Sequence, residues 1–346
     1  IINTSTIDLT IKEEVYMKLF EELKSKNISF KNRIIMPPMA TAKADDKGHI
    51  SKEILDYYQE KTRDKLFSTV IIEHNFIDPL GKASHNQVSI ADDSSIDGLK
   101  KLAKIIKDNG SHAVVQISHA GSSTNEDVIG ESPVAPSAIK NPSNAKASQP
   151  RELTIEEIKE IEDKFTDAAV RVKEAGFDGV EIHSAHGYLL DQFLSPLTNK
   201  RTDEYGGDIE NRIKIHLEII KKVREKVGED YPIFLRLGAG DDMEGGLTQE
   251  DAVYAAKAFE KADIDVLDIS GGMCKFSIDN TSAGFFDFLS KPIYEEVKIP
   301  VILTGGVKTG QDVENILNRK VCDLVGVGRS VFKDSNWIEK EIKPLI

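Results

Sequence analysis

A chain of 346 residues with 58 acidic and 45 basic side chains carries a formal charge of −13 at pH 7. That excess argues against nonspecific binding to nucleic acid, which depends on neutralising phosphates, while leaving room for a local basic pocket for one phosphate. A hydrophobic share of 40%, two cysteines (Cys274 and Cys322) and apolar runs no longer than a strand describe a globular chain with a sizeable core. They argue against a disulfide framework, an iron–sulfur cluster, a cysteine zinc site and a membrane span.

Residues 1–18 read as a polar, partly helical lead-in. They lack the basic segment, apolar core and small-residue cleavage site of a secretion signal, so a cytoplasmic setting is expected. From Asn32 a short strand, Ile34 to Met36, runs into Pro37 and Pro38, where the missing N–H donors end the ladder and start a rigid loop. A helical pattern over 51–65 leads to an apolar strand, 68–77, with Glu73 near its end. A helix over 94–108 leads to the strand 111–120.

The next helix has the clearest signals: Thr154 and Glu157 form a capping box, apolar residues recur at helical spacing from Ile158 to Val172, and Gly176 stops it. It delivers the chain to FDGVEIHSAHGY, 177–188, read as a strand ending in His183, His186 and Tyr188. Val180 and Ile182 alternate with Glu181 and His183, so the two polar residues share the face opposite the aliphatics. Strands over 231–240, 265–272, 300–307 and 322–329 follow, with helical patterns over 211–227, 248–261, 285–297 and 309–318.

Eight strands alternating with helices predict a single α/β domain, a (β/α)8 barrel spanning 19–346. A doubly wound open sheet is the alternative, but no GxGxxG turn follows an early strand. Two long connections, 121–153 and 189–210, border one face of the barrel, where lids and substrate walls are built.

Polar residues inside apolar strands need partners. Glu73, Gln116, His183 and Arg236 each admit a purely structural role, yet together they bring a carboxylate, an amide, an imidazole and a guanidinium to one mouth. That set suits a flat, heteroatom-rich cofactor. The glycines Gly305, Gly306 and Gly328 either make tight turns only or, with Arg329 and a following short helix, hold a phosphate after strands seven and eight. His183 and His186 have a spacing that also occurs in metal sites, although no third ligand motif accompanies them.

At this point the residues resemble the Old Yellow Enzyme family of FMN-dependent ene-reductases, in particular its short bacterial branch. The matching motifs are NRIIMPPM (32–39), VVQISHAG (114–121), the run from Ala175 to Arg212 containing HSAHGYLLDQFLSPL and RTDEYGG, FLRL (234–237), LTGG (303–306) and VGVGR (325–329). The resemblance implies a (β/α)8 barrel with noncovalent FMN, reduced by NADPH or NADH. It places the flavin against Pro37, Pro38, Met39, Ala40 and His74, with Gln116 at the pyrimidine edge and Arg236 near N1 and the C2 oxygen, where a fixed cation favours the reduced ring. Gly305, Gly306, Gly328 and Arg329 take the phosphate. His183 and His186 grip a carbonyl or phenolate oxygen, hydride passes from flavin N5 to the β-carbon, and Tyr188 protonates the α-carbon of an activated C=C bond.

Other readings of the same site are reduction of nitro compounds or other electrophiles, dehydrogenation in the reverse sense, and a flavin-binding protein with little ene-reductase activity. The last is motivated by the short tail and by Ala40, where many relatives carry a Thr or Cys that contacts the flavin; Thr41 next door offers a compensating hydroxyl. The short segment after Arg329, and the shortage of cysteines, suggest a chain without the tail of some bacterial relatives or the iron–sulfur and second flavin domains of larger ones. The implied partners are a small electrophilic substrate and a nicotinamide dinucleotide, with neither nucleic acid nor membrane, and a homo-oligomer is compatible.

Overall fold

A computed structural model describes residues 17–144 and 146–346. Apart from Met17 and Lys18, the lead-in lies outside the described residues. Eight parallel strands form a closed barrel: β1 Ile34–Met36, β2 Thr69–Phe76, β3 His112–Ser118, β4 Gly179–Ser184, β5 Ile233–Gly238, β6 Val266–Ser270, β7 Val301–Thr304 and β8 Leu324–Gly326. Each pairs with the next in sequence, and β8 returns to β1 through Val325 opposite Ile34. This closure bears out the (β/α)8 barrel and excludes the open sheet.

The outer layer contains α1 Lys52–Thr62, α2 Ile96–Asp108, α3 Ile155–Glu174, α4 Lys214–Val227, α5 Gln249–Lys261, α6 Asp287–Tyr294, α7 Gly310–Asn318 and the short α8 Arg329–Lys333. The start of α3 follows directly from its sequence. Thr154 accepts from the Glu157 N–H while the Glu157 carboxylate accepts from the Thr154 N–H, and the stripe from Ile158 to Val172 is buried.

The strand alternation sorts side chains into two cores. Val180 and Ile182 face outward into the large core between sheet and helices. Inside the lower barrel, Ile35, Ile71, Val114, Phe234, Val266, Ile302 and Leu324 form a second, smaller core. It is plugged from below by Ile28 and Phe30, which belong to an antiparallel hairpin of Leu23–Lys24 and Ser29–Phe30 that the sequence reading did not foresee. Two residues further along the strands the same inward face turns polar, at Gln116, Glu181, Arg236 and Asp268.

The two long connections are more ordered than open loops. Residues 121–153 contain a helical turn, Glu126–Ile129, and a small parallel pair, Val134–Ala135 with Arg151–Glu152. Residues 189–210 begin with the fully buried helix Leu189–Leu194. Arg201 ties the two together, donating from Nη1 to the carbonyls of Pro136 and Leu153 at 2.9 and 2.6 Å.

Candidate active site

β4 stops at Ser184, so only His183 is a strand residue, and the expected continuation to Tyr188 is corrected. His186 and Gly187 take φ of 61° and 73°, a left-handed turn that costs about 1–2 kcal/mol at a residue with a Cβ. The turn is held from several sides. The Gly187 N–H donates to Asp191 Oδ2 at 2.7 Å, and its carbonyl accepts from Asn141 Nδ2 at 2.9 Å and Gln192 Nε2 at 2.6 Å. Tyr188 then N-caps the buried helix Leu189–Leu194.

This bend folds the three side chains into one cluster. The His183 and His186 ring centroids lie 5.0 Å apart, and those of His183 and Tyr188 4.9 Å apart. The Tyr188 hydroxyl is 2.9 Å from His74 Nε2, and the two rings stack with centroids 5.5 Å apart. His186 Nε2 is 2.8 Å from the Ser270 hydroxyl at the end of β6. His183 Nδ1 and His74 Nδ1 are buried without a hydrogen-bond partner.

A cavity of about 970 Å³ opens above this cluster at the C-terminal ends of the strands. Pro37, Pro38, Met39 and Ala40 form one wall, with His74, Gln116 and Arg236 at the strand ends. His183, His186 and Tyr188 line it as well, and Gly305, Gly306, Gly328 and Arg329 close the β7–β8 side. Of the residues singled out from the sequence for the site, all but Glu73 therefore border one space. A larger groove, about 1370 Å³, lies outside on α4, α5 and α6, where Lys257 pairs with Glu296 at 2.7 Å; it is lined by helix and loop residues and by none of those at the strand ends.

Two expectations fail. Glu73 does not join the mouth, because the β2–β3 register shifts between Ile72 and Asn75 and turns its carboxylate away. It accepts instead from the Thr41 N–H at 3.1 Å and the Thr41 hydroxyl at 2.8 Å, bracing the loop after β1. Thr41 is thereby committed to Glu73 and does not border the cavity, so it cannot replace the hydroxyl missing at Ala40. Gly306 is also explained without a ligand: its φ is 66°, and a Cβ would meet the Ser282 carbonyl.

Sequence reading missed several contributors. Asp268 lies inside β6 opposite Arg236 of β5, with Oδ2 3.3 Å from Nε, an ion pair whose alignment is too poor for a hydrogen bond. Gln116 donates to Glu181 Oε2 at 2.7 Å. The polar letter in VLDIS was the available signal for Asp268. The connection after β6 brings Lys275 and Phe276 to the cavity, the Phe276 ring 6.0 Å from that of His186; its sequence carried no strand-end pattern.

Among the described residues the charges lining the cavity are all positive: Arg236, Lys275, Lys308, Arg329 and Lys333 border it, and no Asp or Glu does. In a chain of net charge −13 this marks a place for an anion. Arg329 makes no ion pair among the described residues and lies 5.9 Å from the Phe285 ring centre. Burial holds the imidazoles neutral: it depresses His74 to about 4 and pushes His183 and His186 well below the usual range, with Arg236 adding to the effect. Burial also raises the Tyr188 phenol, which stays protonated at neutral pH.

A space with cations at its β8 end, unpartnered polar atoms such as Thr304 Oγ1 and a wall of Pro37 to Ala40 fits a flavin mononucleotide. The fold and site thus define a flavin-dependent oxidoreductase barrel. The chain belongs to the NADH:flavin oxidoreductase / NADH oxidase family, whose pattern matches residues 18–344. With the family comes FMN as cofactor.

Among its relatives, the NADH oxidase of Thermoanaerobacter brockii is 41% identical over 94% of this chain and 50% of its own length. The metal reductase of Desulforamulus reducens is 37% identical over 91% and 47%. This chain therefore spans about half the length of those two relatives. The NADPH dehydrogenase of Clostridium acetobutylicum is 39% identical over 93% and 94%. Among solved structures, a complex of 2-naphthoyl-CoA reductase aligns at TM-score 0.87 and 30% identity over 93% of this chain and 51% of that one. The Old Yellow Enzyme homologue from Zymomonas mobilis aligns at 0.81 and 27% over 93% of both chains. Among the described residues, no helix is long and apolar enough to cross a membrane.

Proposed function

We propose that this barrel reduces the activated C=C bond of α,β-unsaturated carbonyl compounds at the expense of NADH or NADPH. The observation that carries the reading is the cluster of His183, His186 and Tyr188 on one wall of a cavity that suits a flavin. FMN, held by Pro37 to Ala40, Gln116 and Arg236 and by Arg329 with Gly305, Gly306 and Gly328 at its phosphate, supplies hydride transfer when bound.

The protein's own groups do the rest. Two neutral imidazoles each offer an N–H to a carbonyl oxygen, drawing electron density from the conjugated bond. Ser270, at 2.8 Å from His186 Nε2, fixes that ring's direction; with the hydroxyl donating to Nε2, the ring's proton sits on Nδ1. With its proton on Nε2, His74 donates to the Tyr188 oxygen; the phenolic proton is then free to point into the cavity, and the same bond steadies the phenolate as that proton leaves.

The test is turnover of the FMN-loaded protein with NADPH or NADH and a simple cyclic enone, next to a nitroaromatic compound. Saturated ketone, lost in the His183→Ala/His186→Ala double variant while FMN stays bound, is the expected result. Nitro reduction without enone turnover would replace this reading with that of a general electrophile reductase. FMN binding without turnover of either would leave a flavin carrier.

A further inference from the structure

The polar layer beneath the cavity sets two carboxyls, Glu181 and Asp268, beside one cation, Arg236. Arg236 projects into the barrel from β5, flanked by Asp268 on β6, and Glu181 projects from β4 on the other side. All three are buried, Glu181 and Asp268 completely. Gln116, from β3, satisfies one oxygen of Glu181; Glu181 Oε1 and both oxygens of Asp268 have no hydrogen-bond partner. With both acids ionised this trio carries one net negative charge in the barrel interior, which is costly; with either acid protonated it is neutral.

We propose that Glu181 and Asp268 form a proton store under the flavin site, taking up one proton when negative charge arrives beside Arg236 and releasing it when that charge leaves. This rests on the FMN reading above. The NAD(P)H hydride brings two electrons and one proton to the flavin as NAD(P)+ departs; one further proton, from solvent, goes to the carboxyl pair and balances the charge gained. Burial, and for Glu181 the neighbouring Asp268 charge, raises both carboxyls above the ordinary range, while Arg236 opposes the rise. The other titratable groups near Arg236 are His74, His183 and His186, whose imidazoles stay neutral through the range concerned. Glu181 and Asp268 are positioning residues, acting on the cofactor through Arg236 and Gln116.

The experiment is a spectroscopic redox titration of FMN-loaded wild type, Asp268→Asn and Glu181→Gln from pH 5 to 9. The wild type should take up two protons per electron pair through the middle of this range. In Asp268→Asn, loss of a negative charge should favour reduced over oxidised FMN by on the order of tenfold, the scale of one charge several ångströms away at an effective dielectric of about 20. The two-proton region should also move, and Asp268→Glu should restore it. Glu181→Gln should shift the balance the same way and carries the test if Asp268→Asn does not fold. Variants that bind FMN and titrate on the wild-type line would overturn the proton store and leave the flavin reading standing. A wild type that takes up no FMN would overturn both.

Discussion

The floor and the mouth of this barrel are built by the same strands, two residues apart. Val114, Phe234, Val266 and Ile302 fill the floor, and Gln116, Arg236, Asp268 and Thr304 stand directly above them on the same inward face. The floor is dry, apolar and sealed by Ile28 and Phe30. The mouth leaves the His183 ring, Thr304 Oγ1 and the Asp268 carboxylate without full hydrogen bonding. Stability is thus concentrated below and unsatisfied polarity above, as expected when a scaffold supports a site that needs a ligand to complete it.

Paired substitutions on β5 break this division most sharply. Arg236→Leu leaves two buried carboxyls without their cation and should cost about 3–5 kcal/mol in urea unfolding, with FMN retention lost. Phe234→Ala, one step below, should cost about 3–5 kcal/mol through the cavity it opens, yet keep one FMN per folded chain. Equal FMN loss in both would erase the distinction between floor and mouth. Within the mouth, Tyr188→Phe should keep FMN and lower enone turnover by about 10²–10⁴-fold, read as kcat in steady-state assays.

The mouth should also govern the acid limit of stability. His74, held down to about 4 by burial, binds protons less readily folded than unfolded. Its contribution is complete above about pH 6.5 and is lost as pH falls toward 4. Denaturant midpoints should decline through that window, and the decline should persist in Phe234→Ala. The smallest effect belongs to the brace behind β1: Thr41→Val removes a hydroxyl from Glu73 and should cost about 1–3 kcal/mol in thermal or urea unfolding. Burial lifts Glu73 to about 7, so this loss should be larger above that pH, where the carboxylate is charged.

The barrel was legible because its signals are local. The capping box at Thr154, the glycine stop at Gly176 and the aliphatic alternation around Glu181 each constrain one element, and eight such units leave few topologies. The site was legible because strand ends converge in a barrel, so a His, Gln or Arg read on separate strands could be assigned to one space. What escaped depends on register and on contacts distant in sequence. The register shift in β2 turned Glu73 outward, the left-handed turn at His186 ended β4 early, and the hairpin plugging the floor pairs strands of only two residues. Asp268 went unnoticed because a single Asp in a short strand gains its meaning only from Arg236 beside it.

The central claim is that the cavity above His183, His186 and Tyr188 holds FMN with room for an oxyanion on the histidine pair. A visible absorption spectrum of the FMN-reconstituted protein, recorded before and after addition of a para-substituted phenol, tests it most directly. The account predicts a yellow flavin spectrum that gains a long-wavelength charge-transfer band, absent from the His183→Ala/His186→Ala variant. A protein that stays colourless after reconstitution, or a band that survives loss of both histidines, would contradict it.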